Sequence, residues 1–538
     1  MDSEDVTRWP ESTAREYREL GYWTDETLGG FLRERAREYG PRTAVRDHRA
    51  ELTYTQLDAA ADSTATRLHG LGVSKGDRVI VQIDNRVELY IVQFALFRIG
   101  GVPIFALPSH GQLEVEQFCQ IAEPVMIISS STPQVSEKER VAHLADLSGD
   151  SLRSRIMIGD ADGLTDEAPD NVQLWPAFDP SECDDVPSVD DVPTSEDLAF
   201  LQLSGGSTGI PKLIPRTHAD YLYSVRGSAV ICELTEHDVM LVPLPAAHNY
   251  PYSSPGALGI WHAGGEVVLA KRPDPDACLS QMVETGTTIV PLVPAIAHMW
   301  LMAQEMEKRQ YPRLRILQVG GAKLSRDVAQ SLERAFDTTV QQVFGMAEGL
   351  VNYTRLDDDE ETRVATQGLR ISPHDEVKVV DDNGNDLPAG QSGHLLTRGP
   401  YTIRGYYRNP AANRSSFTPE GWYRTGDLVS VDDRGYITVT GRAKSVINRG
   451  GEKVAPEEIE FHLHADPRVL DAVVVGVPDE ILGERTRATV VPREKGSMTS
   501  RDVRTWLRER GLASFKLPDQ VRFADELERT AVGKNQRT

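Results

Sequence analysis

From Gly76 to about Phe344 the chain repeats one pattern, a short apolar run followed by a stretch with helical spacing of its apolar residues. Gly76-Asp77-Arg78-Val79-Ile80-Val81-Gln82 reads as a turn feeding a buried strand, and Leu89–Arg98 as a helix. Gly100-Gly101-Val102-Pro103-Ile104-Phe105-Ala106 opens the next strand. Strands separated by helical segments run parallel, because the helix carries the chain back to begin the next strand in the same direction. The expected fold class is α/β: a large N-terminal domain of parallel-rich sheets. At 538 residues the chain exceeds one ordinary core, and its texture changes to match. Residues 148–196 are crowded with Asp, Pro and Ser and read as an irregular acidic surface excursion. Beyond Gln367, Asn383-Gly384, Pro388-Ala389-Gly390 and Asp433-Arg434-Gly435 turns mark a β-rich subdomain. From Ser445 onward, a helix over Pro456–Ala465 and a strand over Leu470–Val477 indicate a small α+β domain. The boundary is expected between residues 1–441 and 442–538.

The formal net charge of −23 disfavours a nucleic-acid partner, since phosphate backbones select basic surfaces. It equally disfavours docking on anionic membranes. The N-terminus, Met-Asp-Ser-Glu-Asp, is no signal peptide, and no run approaches the ~18–20 apolar residues of a membrane helix. Cys119, Cys183, Cys232 and Cys278 lie far apart with no paired spacing, which points to a reducing compartment and no structural zinc. A cytoplasmic location is expected.

The first strong chemistry is Leu201-Gln202-Leu203-Ser204-Gly205-Gly206-Ser207-Thr208-Gly209-Ile210-Pro211-Lys212, a strand running into a Gly/Ser/Thr loop with a downstream lysine. Glycines let backbone N–H groups turn toward an anion, hydroxyls add donors, and lysine adds charge. The spacing is not that of a Walker A loop. Gly205-Gly206-Ser207-Thr208-Gly209 also fits G-x-S-x-G, the nucleophile elbow of serine hydrolases, although Pro211 and Pro215 fall where its helix would run. A second strand end, Gly320-Gly321-Ala322 after Arg315–Val319, lies where α/β folds bind ligands.

Four further blocks occur in order: Val343-Phe344-Gly345-Met346-Ala347-Glu348, Tyr423-Arg424-Thr425-Gly426-Asp427, Gly441-Arg442-Ala443-Lys444 and Gly533-Lys534. With the Lys212 loop they resemble the adenylate-forming superfamily: acyl-CoA synthetases, luciferases and the adenylation domains of peptide synthetases. Pro245-Ala246-Ala247-His248-Asn249-Tyr250 and Gln342–Asp357 narrow the likeness to stand-alone aryl acid ligases of siderophore assembly, above all 2,3-dihydroxybenzoate–AMP ligases. The resemblance implies ATP and Mg²⁺ as cofactors, a mobile C-terminal domain, and an active site between the two domains. It assigns Ser204, Gly205, Gly206, Ser207, Thr208, Gly209 and Lys212 to the pyrophosphate end of ATP. Gly320, Ala322 and Phe344 are implied beside the adenine, Gly345, Met346, Ala347 and Val439 elsewhere in the ATP site, and Asp427 and Arg442 on the ribose or phosphate. Glu348 is implied as the Mg²⁺ ligand, Lys444 as the hinge, and Lys534 as the mobile catalytic lysine. At the hinge Ser445 stands where many relatives have Asp.

For adenylation, two anions meet, so the site needs positive charge and oriented donors more than a strong base. Where relatives that activate α-amino acids carry an Asp to pair the ammonium, this chain has Asn249. A neutral amide would leave a buried ammonium unpaired, so an acid without an α-amine is expected. Tyr250, Val343 and Val351 supply flat apolar walls for one ring, with Gly321 beside them. Ser254 offers a hydroxyl to a ring 3-hydroxyl, which favours 2,3-dihydroxybenzoate; salicylate, hydroxypicolinate and hydroxyanthranilate stay open, as does transfer to free coenzyme A. Tyr252 is bulkier than the Leu or Met common in relatives and is expected to modify the pocket. His248 is expected at the junction of carboxylate and phosphate, in a catalytic role. Relatives often run on past the position of Thr538, so a longer C-terminus is a further expectation. No carrier-protein serine motif is present, so the acyl acceptor is expected to be a separate aryl carrier protein bearing phosphopantetheine.

Overall fold

The computed structural model describes residues 5–159, 168–176, 192–204, 212–322, 324–442, 446–525 and 527, with the backbone alone for Ser204, Arg442, Glu457 and His464. Among these residues four sheets form. The first runs Gln173–Trp175, Ser154–Ile158, Met126–Ser130, Arg78–Gln82, Val102–Phe105, Leu198–Ser204, Lys212–Thr217 across its width. All neighbours are parallel except the last pair. The expected excursion over 148–196 is thus partly wrong, because Ser154–Ile158 and Gln173–Trp175 lengthen this sheet. Their cause is local: Ile156, Met157 and Ile158 are buried, and the Arg67 guanidinium lies 3.7 Å from the Trp175 ring centroid.

A nine-stranded sheet has six parallel strands at its centre: Thr43–Arg46, Glu266–Leu269, Val239–Val242, Ile289–Leu292, Ile316–Gly320 and Thr339–Gly345. Antiparallel strands close both edges, Glu51–Thr53 at one and Val351–Tyr353 with Leu369–Arg370 at the other. Helix Val87–Ile99 is apolar almost all round and buried to match. One core joins it to Val79 and Val81 of the smaller sheet and to Val45 and Val267 of the larger. Such burial on both faces is what near-continuous Val/Ile/Leu strands require.

The β-rich subdomain is an antiparallel sheet of Glu376–Val380, Gly393–Arg398, Tyr423–Val431 and Ile437–Arg442. The C-terminal domain has its own five-stranded sheet, Ile447–Arg449, Glu452–Val454, Val469–Asp479, Gly483–Pro492 and Gln520–Phe523, with helices Pro456–His464 and Ser500–Glu509. Ile447, Ile459, Leu463, Val474 and Leu507 form its core. It is seated on the large domain through Lys516, whose Nζ lies 2.8 Å from Glu114 Oε1 and 2.7 Å from Glu458 Oε1. Ala513 N–H donates to the same Glu114 oxygen at 3.4 Å, and Leu113 packs on the C-terminal core. Cys119, Cys232 and Cys278 are buried free thiols, and Cys183 lies outside the described residues. Among the described residues no helix is long and apolar enough to cross a membrane.

Candidate functional site

Strand Leu198–Ser204 pairs antiparallel with strand Lys212–Thr217, with Ser204 opposite Lys212 in the register. Gly205, Gly206, Ser207, Thr208 and Gly209 lie outside the described residues. The strand Lys212–Thr217 speaks against the nucleophile-elbow alternative, because it occupies residues over which an elbow's helix would run. Pro215 is accommodated because its strand is the sheet's edge.

The Lys212 ammonium sits 4.6 Å from the centroid of the Tyr406 ring. Tyr406 donates its hydroxyl hydrogen bond to Glu348 Oε1 at 2.9 Å and lies 3.1 Å from the Tyr423 hydroxyl. Burial, with the Glu348 carboxylate adding to it, pushes both tyrosines far above the ordinary phenol range. They therefore remain O–H donors. Tyr423 also feels Asp427, which is 4% exposed and stands opposite Arg442 in the strand register. Lys212, Glu348 and Asp427 are thus linked through two tyrosines. The Arg442 side chain is outside the described residues.

Glu348 is held by its backbone as well. Ile403 N–H donates to its carbonyl at 2.8 Å, and Arg216, paired with buried Asp220, donates to the Ala347 carbonyl at 3.1 Å. Gly349 and Leu350 follow at φ 113° and 101°. For Leu350 this is a costly conformation, fixed where its carbonyl accepts from Met346 N–H.

Phe344 and Met346 share an apolar patch with Val439 at the edge of the β-rich subdomain, and the Val439 N–H donates to Gln367 Oε1 at 2.7 Å. Gly345 is exposed, and a Cβ there would come within 3.0 Å of the Leu350 carbonyl. Gly320 ends its strand against Tyr250 and Val343: a Cβ would meet the Val343 carbonyl at 2.8 Å and Tyr250 Cζ at 3.1 Å. Gly321, at φ 81°, and Ala322 follow it.

His248 caps the short helix Asn249–Ser253, its Nδ1 accepting from Tyr250 N–H at 3.2 Å. The ring presents surface to the cleft yet lies deep in the protein. Burial, and then the Lys453 ammonium, pushes its pKa down to about 4. With Nδ1 occupied as an acceptor, the neutral ring offers Nε2–H to the cleft, a donor fitted to an anion rather than a proton-accepting base. Tyr221 donates to Asn249 Oδ1 at 2.8 Å, which leaves the amide NH₂ as the free donor. Tyr250, Ser254, Val343 and Val351 are all buried around this point. Tyr252 is not part of it. It is fully buried against Phe105, Phe200 and Tyr221, so its size fills the core instead.

Lys444 and Lys534 lie outside the described residues. What the C-terminal domain brings to the cleft is its first hairpin: Asn448 Nδ2 donates to the Gly321 carbonyl at 3.0 Å, and Gly451 lies against Val293. Sequence reasoning missed Asn448, Lys453, Tyr406 and Tyr221, each far along the chain from the group it serves.

A divalent cation suits this site. Glu348 is a buried carboxylate that shares Tyr406 with Lys212, one accepting from its hydroxyl and the other lying over its ring. One carboxylate completed by phosphates and water is the donor set Mg²⁺ takes with a nucleotide.

Residues 32–407 match the family described as AMP-binding enzyme, and residues 458–534 match the AMP-binding enzyme C-terminal domain. The chain is 46% identical over 531 residues to 2,3-dihydroxybenzoate-AMP ligase of Bacillus subtilis (strain 168), covering 98% of this chain and 95% of that one. It is 44% identical over 532 residues to enterobactin synthase component E of Escherichia coli (strain K12), covering 98% and 96%. Among solved structures, Mycobacterium smegmatis MbtA without ligand aligns over 100% of this chain and 99% of its own, at 39% identity and a TM-score of 0.73.

Proposed function

The chain belongs to the AMP-binding enzyme family, and from that premise we propose that it is an aryl acid–AMP ligase. It uses ATP with Mg²⁺ to convert an aryl carboxylic acid, 2,3-dihydroxybenzoate, to the acyl-AMP with release of pyrophosphate. It then hands the acyl group to the phosphopantetheine thiol of a separate aryl carrier protein in siderophore assembly. The relatives named for 2,3-dihydroxybenzoate support this choice of acid.

The observation that carries the reading is the fixed amide of Asn249. Its oxygen is engaged by Tyr221, so the cleft is offered a neutral N–H donor beside the His248 Nε2–H. Both groups suit a carboxylate and an ortho hydroxyl, and neither pairs an α-ammonium. The ring then lies among Tyr250, Val343, Val351 and Gly321, with Ser254 at its substituted edge. On the nucleotide side, Ser204–Gly209 and Lys212 hold phosphates. Gly320, Ala322, Phe344, Gly345, Met346, Ala347 and Val439 surround the base, Asp427 and Arg442 the ribose, and Glu348 carries Mg²⁺. When bound, the cation offsets phosphate charge; the chain's own contribution is to orient the donors and exclude water. Lys534 supplies the ammonium at the meeting anions, and the C-terminal domain, residues 442–538, turns about Lys444.

ATP–pyrophosphate exchange tests the reading. 2,3-Dihydroxybenzoate is expected to drive exchange above any amino or fatty acid, and Lys534→Ala to cut it by ~10²–10³. Exchange driven best by an amino acid would refute the assignment.

A further inference from the structure

The wall of the ring pocket is backed by hydroxyls that no part of the reaction above employs. Tyr353 follows Val351 by two on the same strand, so both side chains project from one face of the sheet. Tyr353 is also the register partner of Val343, which puts the three side chains side by side. The Tyr353 hydroxyl is wholly buried and makes no hydrogen bond among the described residues, and the same holds for the Ser228 hydroxyl on helix His218–Ile231. Ser228 and Ser254 both lie near enough to the Tyr353 hydroxyl to lower its pKa against the effect of burial, without forming a well-aligned bond. Ser254 caps the helix that carries Asn249 and Tyr250. A buried hydroxyl with no partner is costly, and two that face a third at a ring pocket are ready for one more polar group to set their directions.

We propose that Tyr353 and Ser228 are specificity-determining positioning residues, which orient Ser254 to read a hydroxyl meta to the carboxylate of the aryl substrate. The ring hydroxyl donates to Ser254 Oγ, Ser254 donates to the Tyr353 oxygen, and Tyr353 donates to Ser228 Oγ. Each hydroxyl has one proton to give and lone pairs to accept another, so each member of the row can make one bond and take one. Burial holds Tyr353 in its protonated form, so it keeps a proton to donate. Without the ring hydroxyl the row lacks its first donor, so an acid bare at that position gains nothing from it. The relay rests on the aryl acid reading above and names what that pocket recognises beyond the carboxylate.

The test compares kcat/KM in pyrophosphate exchange for 2,3-dihydroxybenzoate and salicylate, which differ only in that hydroxyl. Tyr353→Phe is expected to lower the ratio between them by about two- to tenfold, through the dihydroxy acid alone. Ser228→Ala acts in the same direction. Ser254→Ala combined with Tyr353→Phe costs no more than Ser254→Ala by itself, as for residues acting in one row. Thermal melting of each variant monitors the fold, and salicylate turnover serves as the internal control. A Tyr353→Phe variant that loses both substrates equally, or neither, overturns the relay. If the unaltered enzyme responds to neither acid, the aryl acid assignment falls with it. If it responds and the ratio does not move, the relay alone falls.

Discussion

Lys516→Met strikes the contact that seats the C-terminal domain. The change removes an ammonium 2.8 Å from Glu114 Oε1 and 2.7 Å from Glu458 Oε1, and these carboxylate side chains are 2% and 6% exposed. Removing one partner of a buried ion pair costs about 3–5 kcal/mol, because the remaining charge stays out of water. Glu114→Gln is the milder companion. It keeps Lys516 paired to Glu458, so the loss should be about 1–2 kcal/mol and confined to the seating. Denaturant unfolding followed at pH 8 and pH 5 reads both. Burial pushes Glu114 up, but the Lys516 ammonium offsets this and holds it below its ordinary value. Its stabilisation is therefore complete above the unfolded carboxylate value of ~4.3 and is lost as pH falls through the lower folded one. In Lys516→Met the largest opposing charge is gone, so Glu114 rises and Glu458, which burial already holds above its ordinary value, rises further; both take up protons earlier. The deficit of the variant should be largest at pH 8 and smaller at pH 5. A loss below about 0.5 kcal/mol, or an equal loss at both pH values, would refute the account of a desolvated seat.

The remaining predictions concern the cleft. His248 should titrate below the usual imidazole range, lowered by burial and by the Lys453 ammonium; an NMR midpoint at or above the ordinary imidazole value would count against its placement. Tyr406→Phe deletes the donor to Glu348, the carboxylate proposed to carry Mg²⁺, and should raise the Mg²⁺ needed for half-maximal exchange by about tenfold or more. An unchanged Mg²⁺ titration would show that Tyr406 does not hold the carboxylate.

Local physics explains what is legible in the sequence alone. Strands such as Arg78–Gln82 and Ile316–Gly320 are written as unbroken apolar runs, and Val87–Ile99 as a helix apolar on all sides. Lys212 and Glu348 announced themselves by the loops they end, and the structure connects them through Tyr406. Tyr406 itself carried no sign, since its partner lies 58 positions away. Lys516 and Glu114 are further apart still, and a buried pair across two domains leaves no local pattern. Tyr250 and Tyr252 show the opposite difficulty. Adjacent in the sequence reading, they sit two positions apart on a short helix, about 200° around its axis. One consequently meets Gly320 at the cleft and the other fills the core. The strands within 148–196 escaped notice because acidic, proline-rich flanks outweighed a three-residue apolar run.

The placement of Thr43–Arg46 has a consequence for how the protein is made. Val45 pairs with Val267, so a strand that leaves the ribosome early waits for a neighbour synthesised much later. The smaller sheet needs nothing beyond Thr217 and has its complete set of strands first. Until the chain has grown past Leu269, the early segment carries an unsatisfied strand edge beside apolar Ala44, Val45 and Leu52. Pairings between such distant stretches form slowly. The nascent protein therefore passes through an interval in which this N-terminal hairpin is exposed to chaperones and to self-association.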